Sequence, residues 1–345
     1  MNNGREHDSD LLNVGETFAD AFTIKGKSRY GSHAWLYPAE PINEPGSIVA
    51  LKILKKSNQP EELIDFRKEA EIESCLEHPN IARCYSKEPE NGNVKGTEYY
   101  YIRKEFIEGD NLKVKINGKR LPTDIVLSYG IKIAQGLEHA KVKRVLHRDL
   151  KCENILIAPG DAVKIIDFGQ AAIITGEDPN NTDNKIIYGS AGYADPVQYS
   201  AKPLDHRCDI WGLGLILYEM LTGQPAFTGG YAERIRKSIE ANPLPFALYR
   251  GLTVPPLLEQ LIFRMIAKKA TERPQNVSDV RISLLAVLEH LERQENRELK
   301  EDNPELRQED DLVGDPGTPE AEVGKPEKRL MDGVKRLVEL TNKVK

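Results

Sequence analysis

Short apolar runs separated by turn residues fill the first third of the chain. Residues 22–26, 33–40 and 47–54 are rich in β-branched and aromatic residues, and the NEPG sequence at 43–46 supplies a turn. Residues 81–85 and 98–107 have the same character. The pattern predicts a five-stranded antiparallel sheet.

Helical periodicity interrupts this sheet once and then dominates the rest of the chain. Apolar residues recur every three or four positions from Pro60 to Leu76, and again over 122–142, where Ile125, Tyr129 and Ile133 share one face. An apolar helix is predicted from 209 to 221, and further helices at about 230–241, 255–268 and 277–293. A sheet with one helix, followed by a mostly helical region, indicates the α+β class.

The two ends of the chain lack this regularity. Residues 1–20 are polar and are expected to form a flexible segment. From about 294 the chain is rich in Glu, Asp, Lys and Pro, and we expect disorder as far as Pro326. Residues 327–343 have apolar positions at helical spacing. They predict a terminal amphipathic helix that packs back on the chain or, alternatively, binds a partner or a second copy.

Composition narrows the functional classes. The net charge of −6 argues against a broad nucleic-acid surface, and the four cysteines contain no CxxC pair, which argues against zinc or a disulfide framework. No apolar run is long enough to span a membrane, and no signal pattern opens the sequence. We expect a cytoplasmic protein that does not bind nucleic acid.

Residues 147–169 concentrate the chemistry. Asp149, Asn154 and Asp167 lie beside Arg148 and Lys151, and two short apolar runs, 155–157 and 163–166, flank a turn at 160–161. Such runs predict a hairpin that brings the oxygen-bearing side chains to one edge of a sheet. Hard oxygen ligands beside a lysine suit Mg²⁺ and phosphate.

The strings HRDLKCEN and DFG in this stretch resemble the catalytic and magnesium-binding loops of eukaryotic-type (Hanks-type) serine/threonine protein kinases. VALK at 49–52, HPNI at 78–81, GSAGY at 189–193 and DIWGLG at 209–214 extend the resemblance over about residues 20–293. It implies a bilobal protein kinase fold in residues 21–293, with a small lobe of about 21–107 and a large lobe of about 108–293.

The resemblance implies catalytic roles. Asp149 would orient a substrate hydroxyl and accept its proton, and Lys151 would lie beside the transferred phosphate. Asn154 and Asp167 would hold Mg²⁺, with Mn²⁺ as the alternative ion. Lys151 two residues after the aspartate, together with Ser190 in the docking stretch, is typical of serine/threonine specificity.

It also implies an ATP-binding site. Lys52 would contact the α- and β-phosphates and pair with Glu69, whereas Glu71 and Glu73 are expected to be solvated. The phosphate-covering loop has serine in place of its middle glycine, which limits close backbone approach. The implied nucleotide-binding residues are Gly26, Ser28, Gly31, Ala50, Lys52, Glu69, Glu105, Ile107 and Leu156, with Glu105 and Ile107 acting through their backbone groups.

Two further positions depart from the family pattern. Lys104 stands where an apolar residue usually limits the pocket; if buried, it needs a carboxylate partner or loses its proton, unless the alignment slips there. Val197 replaces a glutamate that pairs with a buried arginine, here Arg273. Either Asp195 or Glu272 compensates, or Arg273 is more exposed.

Hydroxyl groups after the DFG sequence suggest regulation. Thr175, Thr182 and Ser190 lie in the stretch that resembles an activation segment, and a phosphate there would pair with Arg148. The implied function is transfer of the ATP γ-phosphate to protein serine or threonine, including autophosphorylation of this segment. The alternatives are a pseudokinase scaffold and a small-molecule kinase of the aminoglycoside-phosphotransferase kind, a family expected to lack the stretches 189–196 and 209–211.

Overall fold

A twisted antiparallel sheet with one helix forms the first part of the molecule. The computed structural model describes residues 10–30, 34–55, 60–173, 189–199 and 203–302. Strand order in the sheet is β1-β2-β4-β5-β7-β6, with β3 pairing to β4. The elements are β1 (Thr17–Phe18), β2 (Phe22–Ile24), β3 (Arg29–Tyr30), β4 (Ala34–Pro41), β5 (Val49–Leu54), α1 (Pro60–Ser74), β6 (Glu90–Val94) and β7 (Thr97–Glu105).

The two faces of this sheet have different environments because side chains alternate along a strand. Leu51 and Ile53 of β5 join the small-lobe core, which also contains Phe18 and Tyr37. Leu54 of the same strand packs on the other face, against Phe66 and Ala70 of α1 and Ile102 of β7. The alternation therefore places Lys52 on the face that carries α1.

The sheet differs from the prediction in three ways. Residues 10–20, expected to be flexible, include β1 and bury Leu12 and Phe18, while residues 1–9 lie outside the described part. The strand predicted over 81–85 is wrong, since only isolated bridges occur there, at Ile81 and Cys84. A polar edge strand, β6, pairs with β7 instead, and the described sheet has seven strands rather than five. An edge strand can form without the run of apolar residues from which the other strands were predicted, so the sequence pattern did not reveal β6.

Helices build the second part around one large core. α4 is buried along almost its whole length, and α3 packs against α4 and α7. The elements are β8 (Asp110–Asn111), α2 (Leu112–Ile116), α3 (Thr123–Val142), β9 (Val145–Leu146), β10 (Ile155–Ala158), β11 (Ala162–Ile165), β12 (Ala172–Ile173), α4 (Arg207–Thr222), α5 (Tyr231–Glu240), α6 (Pro256–Met265) and α7 (Val277–Asp302). The α+β class, with a sheet-rich lobe and a helical lobe, is confirmed.

The last helix is longer than its apolar pattern suggests. α7 continues to Asp302, nine residues beyond the predicted end at 293, so disorder from 294 is wrong for residues 294–302. The predicted helix over 327–343 lies outside the described residues. Among the helices that are described, none combines the length and apolar composition required to cross a membrane.

Candidate active site

A lysine on the sheet and a glutamate on the helix above it form the first part of the site. Lys52 Nζ lies 2.5 Å from Oε1 and 2.7 Å from Oε2 of Glu69. Desolvation raises the pKa of the Glu69 carboxyl, but the ammonium groups of Lys104 and Lys52 outweigh this effect and lower the net pKa. The sequence-predicted pair is thus brought together, with Glu69 as the charged partner.

The buried carboxylate of Asp209, at the start of α4, fixes the loop between β9 and β10. It accepts hydrogen bonds from the backbone N–H groups of His147, at 3.0 Å, and Arg148, at 3.1 Å. Arg148 has a φ of 66°, a left-handed conformation that costs energy for a residue with a Cβ atom. Gly212 of α4 contributes a close approach, because a Cβ there would lie 3.0 Å from the carbonyl oxygen of Leu150. The loop is held by α4 in a conformation that it would not adopt alone.

Four predicted residues meet within this loop and the segment beside it. Lys151 Nζ lies 2.5 Å from Asp149 Oδ2 and donates to Ser190 Oγ at 2.7 Å. Ser190 N donates to Asp149 Oδ1 at 2.9 Å, and Asn154 Nδ2 donates to the Asp149 carbonyl at 2.9 Å. The Asp149 carboxylate is therefore oriented through both oxygens, and Ser190 contacts both Asp149 and Lys151.

Asp167 follows β11 and turns back toward the loop. Its φ is 64°, and its Oδ1 accepts from Gly169 N at 3.3 Å. The N–H of Ile166 donates to the carbonyl of Asn154 at 2.9 Å, which keeps the two predicted metal ligands on adjoining backbone. Desolvation raises the pKa of the Asp167 carboxyl, but Lys52 and Lys104 outweigh it, and the net pKa lies below its usual value.

Lys104 has two carboxylate partners at the inner end of the site. It faces α1 because it lies two positions after Ile102 on β7, opposite Ala50 of β5. Its Nζ lies 2.5 Å from Glu69 Oε1 and 2.6 Å from Glu73 Oε2. Burial alone would lower the pKa of Lys104, but the two carboxylates raise it, and the ammonium stays charged. Of the two outcomes expected for a buried Lys104, the carboxylate partner is the one observed.

The expectation that Glu73 is solvated is wrong. Glu73 is buried and accepts a hydrogen bond from the backbone N–H of Phe168 at 3.0 Å, in addition to its ion pair with Lys104. Desolvation raises its pKa. The sequence held a usable signal, since Glu73 follows Glu69 by four positions and so lies on the same face of α1. Glu71 is exposed, as expected.

Asp195 replaces the missing glutamate as the partner of Arg273. Both side chains are buried, and Arg273 Nη1 and Nη2 lie 2.5 and 2.9 Å from the two oxygens of Asp195. Of the alternatives left open by the sequence, compensation by Asp195 is correct, and greater exposure of Arg273 is wrong. The bidentate pair anchors the end of the segment that carries Ser190.

The remaining residues expected to bind the nucleotide lie in the segment after β2, on β5 and β10, and at the end of β7. Gly26 follows β2, and a Cβ there would lie 2.8 Å from a side-chain atom of Pro38. Ser28 is buried and donates to Asp10 Oδ1, while Gly31 lies outside the described residues. Ala50 of β5, Leu156 of β10 and Ile107 after β7 are buried apolar residues, and the Glu105 side chain pairs with Lys164 at 2.7 Å.

The predicted regulatory residues are described only in part. Arg148 is held through its backbone, with its carbonyl accepting from Gln198 at 3.2 Å. Thr175 and Thr182 lie outside the described residues.

The donor set fits a divalent cation and a phosphate. Asn154 directs its Nδ2 to Asp149, which leaves its Oδ1 directed away from that residue, and Asp167 is a charged carboxylate. Within the described ranges no group of three or more His, Cys, Asp and Glu side chains is placed to hold a metal. An ion here would take oxygens from Asn154, Asp167 and the phosphates, as expected for a nucleotide-bound cation.

A sheet-rich lobe with a Lys–Glu pair, above a helical lobe with an HRD loop and a DFG turn, defines the protein kinase class. Residues 40–286 match the family model described as protein kinase domain. The chain belongs to this family, and the resemblance found in the sequence is confirmed.

Relatives from bacteria and a fungus have similar sequences. A protein of Clostridium perfringens, named a probable serine/threonine-protein kinase, is 30% identical over 271 residues, covering 77% of this chain and 38% of its own length. The serine/threonine-protein kinase PknB of Mycolicibacterium smegmatis is 30% identical, over 70% of this chain and 39% of its own. An Aurora kinase of Eremothecium gossypii is 30% identical, over 65% and 58%. The chain spans about two fifths of the length of these bacterial relatives.

Proposed function

We propose that this chain is a Mg²⁺-dependent serine/threonine protein kinase that transfers the γ-phosphate of ATP to a protein hydroxyl. The observation that carries the proposal is the Asp149 carboxylate, oriented by Lys151 at 2.5 Å and by the N–H of Ser190 at 2.9 Å. A carboxylate held in this way can orient a hydroxyl and accept its proton. The names of the Clostridium perfringens and Mycolicibacterium smegmatis relatives include serine/threonine-protein kinase, which supports the same acceptor.

The polar contacts of the site each have a role in this reaction. Asp149 accepts the proton of the attacking hydroxyl, and Lys151, which also reaches Ser190, stabilises negative charge on the transferred group. Lys52, fixed by Glu69, holds the α- and β-phosphates. Ala50, Leu156 and the backbone of Glu105 and Ile107 surround the base.

Asn154 and Asp167 would hold the cation, which when bound neutralises phosphate oxygens. We propose Mg²⁺ because the donors are an amide oxygen and a charged carboxylate, with Mn²⁺ as a substitute.

Regulation and partners follow from the same interpretation. Thr175 and Thr182 are proposed autophosphorylation sites whose phosphates pair with Arg148. The net charge of −6 supports protein rather than nucleic acid as the partner, in the cytoplasm. The segment 327–343 is proposed as a helix for a partner or a second copy.

The test is phosphate transfer from labelled ATP. The full chain is incubated with Mg²⁺ and labelled ATP, alone and with a generic basic protein, beside an Asp167→Asn control. Label on serine or threonine that disappears in the control is expected. Nucleotide binding without any transfer by the wild-type protein would instead indicate the scaffold alternative, and label confined to small molecules would contradict a protein substrate.

A further inference from the structure

Behind the Lys52–Glu69 pair lies a second pair of buried charges that the reaction itself does not require. Lys104 has 13% of its side chain exposed and Glu73 has 5%. Their contact distance is 2.6 Å, and Lys104 also reaches Glu69. Removing two charged groups from water is unfavourable, and only their mutual attraction and further hydrogen bonds offset that cost. Apolar residues of the same size would fill this space without that cost.

The Glu73 carboxylate connects two elements that carry the reacting groups. One oxygen pairs with Lys104 on β7, and the other accepts from the backbone N–H of Phe168 at 3.0 Å. Phe168 directly follows Asp167. The Glu73 carboxylate therefore accepts from the backbone N–H directly after the proposed metal-binding residue, while the Lys104 ammonium pairs with its other oxygen.

The contact continues from Phe168 into the catalytic loop. The ring of Phe168 lies 4.6 Å from the ring of His147, measured between centroids. His147 Nε2 contacts the Ile166 carbonyl at 3.1 Å, and its backbone N–H donates to Asp209. A displacement of Phe168 would thus change the geometry on both sides of the site, at Asp167 and at the loop that carries Asp149.

We propose that Lys104 and Glu73 are positioning residues for phosphate transfer: a Glu73 oxygen holds the backbone N–H of Phe168, and through it the Asp167 carboxylate, while Lys104 balances the charge of Glu73 beside Glu69. This inference rests on the kinase activity proposed above. Lys104 has a second effect, because it shares Glu69 with Lys52 and so sets where Glu69 holds the phosphate-binding lysine.

Two substitutions at Glu73 separate positioning from packing. Glu73→Gln removes the charge but keeps an oxygen that can accept from Phe168, and Lys104 retains Glu69 as its partner. Glu73→Leu is apolar and of similar size, so the buried space stays filled, but the acceptor is lost. Lys104→Met removes the cation that Glu69 and Glu73 share, so that the two carboxylates repel each other. The double variant Lys104→Met/Glu73→Gln relieves this repulsion, because it also removes the charge of Glu73.

The experiment measures kcat and the KM for ATP of the full chain and these variants, with thermal unfolding as a check on folding. Lys115→Met, at a half-exposed pair with Asp161, is the matched control and should behave as wild type. We expect Glu73→Leu and Lys104→Met to lower kcat at least about tenfold, as for a small displacement of a reacting group, and the two Glu73→Gln proteins to lie within about threefold of wild type.

Wild-type kcat in Glu73→Leu, or no recovery in Lys104→Met/Glu73→Gln, would overturn the positioning role. Absence of transfer by the wild-type protein would overturn the proposed function instead. In that case the same comparison is made on the thermal shift produced by Mg²⁺ and ATP. Retention of this shift in Glu73→Gln and its loss in Glu73→Leu would still support positioning of Asp167, and equal shifts would refute it.

Discussion

The Asp195–Arg273 pair provides a sharp test of how the structure compensates for Val197. In the Asp195→Ala variant the Arg273 guanidinium, whose side chain is 0% exposed, loses both carboxylate contacts. Breaking one partner of such a buried pair costs about 3–5 kcal/mol. Arg273 keeps hydrogen bonds to the carbonyls of Ala267, at 2.8 Å, and Arg207, at 3.0 Å, so we expect the lower end of the range, about 3 kcal/mol.

Thermal unfolding measures this loss. For a folded region of about 270 residues each kcal/mol shifts Tm by a little under about 2 °C, so Asp195→Ala should lower Tm by about 5 °C. The double variant Asp195→Ala/Val197→Glu restores the carboxylate at the position where the family carries it, and should recover part of the loss.

An exposed ion pair is the control for this measurement. Arg236 and Glu240 are 62% and 61% exposed, so Glu240→Ala should change stability by less than about 0.5 kcal/mol. Equal Tm values for Asp195→Ala and Glu240→Ala would refute the reasoning, since they would mean that Arg273 does not depend on Asp195. A double variant less stable than Asp195→Ala would show that position 197 does not face the guanidinium.

Three further predictions concern pH, packing and the nucleotide. Desolvation and Arg273 lower the pKa of Lys268 from 10.5 to about 8, so the unfolded chain binds more protons between these values and stability rises with pH there. Lys268→Met should therefore be more stable than wild type at neutral pH. Chemical denaturation should show that this difference in the free energy of unfolding is about 1 kcal/mol smaller at pH ~10, after allowing for solvent screening. An unchanged difference would contradict this. Gly212→Ala places a Cβ 3.0 Å from the carbonyl oxygen of Leu150 and should lower both Tm and turnover. Unchanged turnover would show that α4 does not fix the loop between β9 and β10. Lys52→Met should lower kcat/KM for ATP at least about a hundredfold with little change in Tm, and an unchanged kcat/KM in steady-state assays would exclude the phosphate role.

Local sequence patterns predicted the structure correctly where a single physical rule determines it. Strand alternation in β5 places Lys52 on the α1 face, where it meets Glu69, the partner that the family resemblance implied. The hairpin of β10 and β11 formed as its two apolar runs and the turn at 160–161 predicted. In these cases the short-range pattern and the long-range contact agree.

The failures occurred where a partner distant in sequence decided the outcome. Glu73, on α1, was expected to be solvated because its partner Lys104 lies far along the chain on β7, although the sequence alone indicated that a buried Lys104 needs a carboxylate. The edge strand β6 forms because β7 offers unpaired backbone groups, which composition does not show. Ser28 bonds to Asp10, so the departure in the phosphate loop is linked to an N-terminal segment that was expected to be flexible.

The central claim is that Asp149 is the group that activates the attacking hydroxyl. The direct measurement is turnover of Asp149→Asn, a variant of the same shape, alongside its ATP affinity. The account predicts that kcat falls by about 10²–10⁴, as for loss of a general base, while the Kd for ATP with Mg²⁺ stays within a few-fold of wild type. Turnover near the wild-type value would contradict the proposed mechanism.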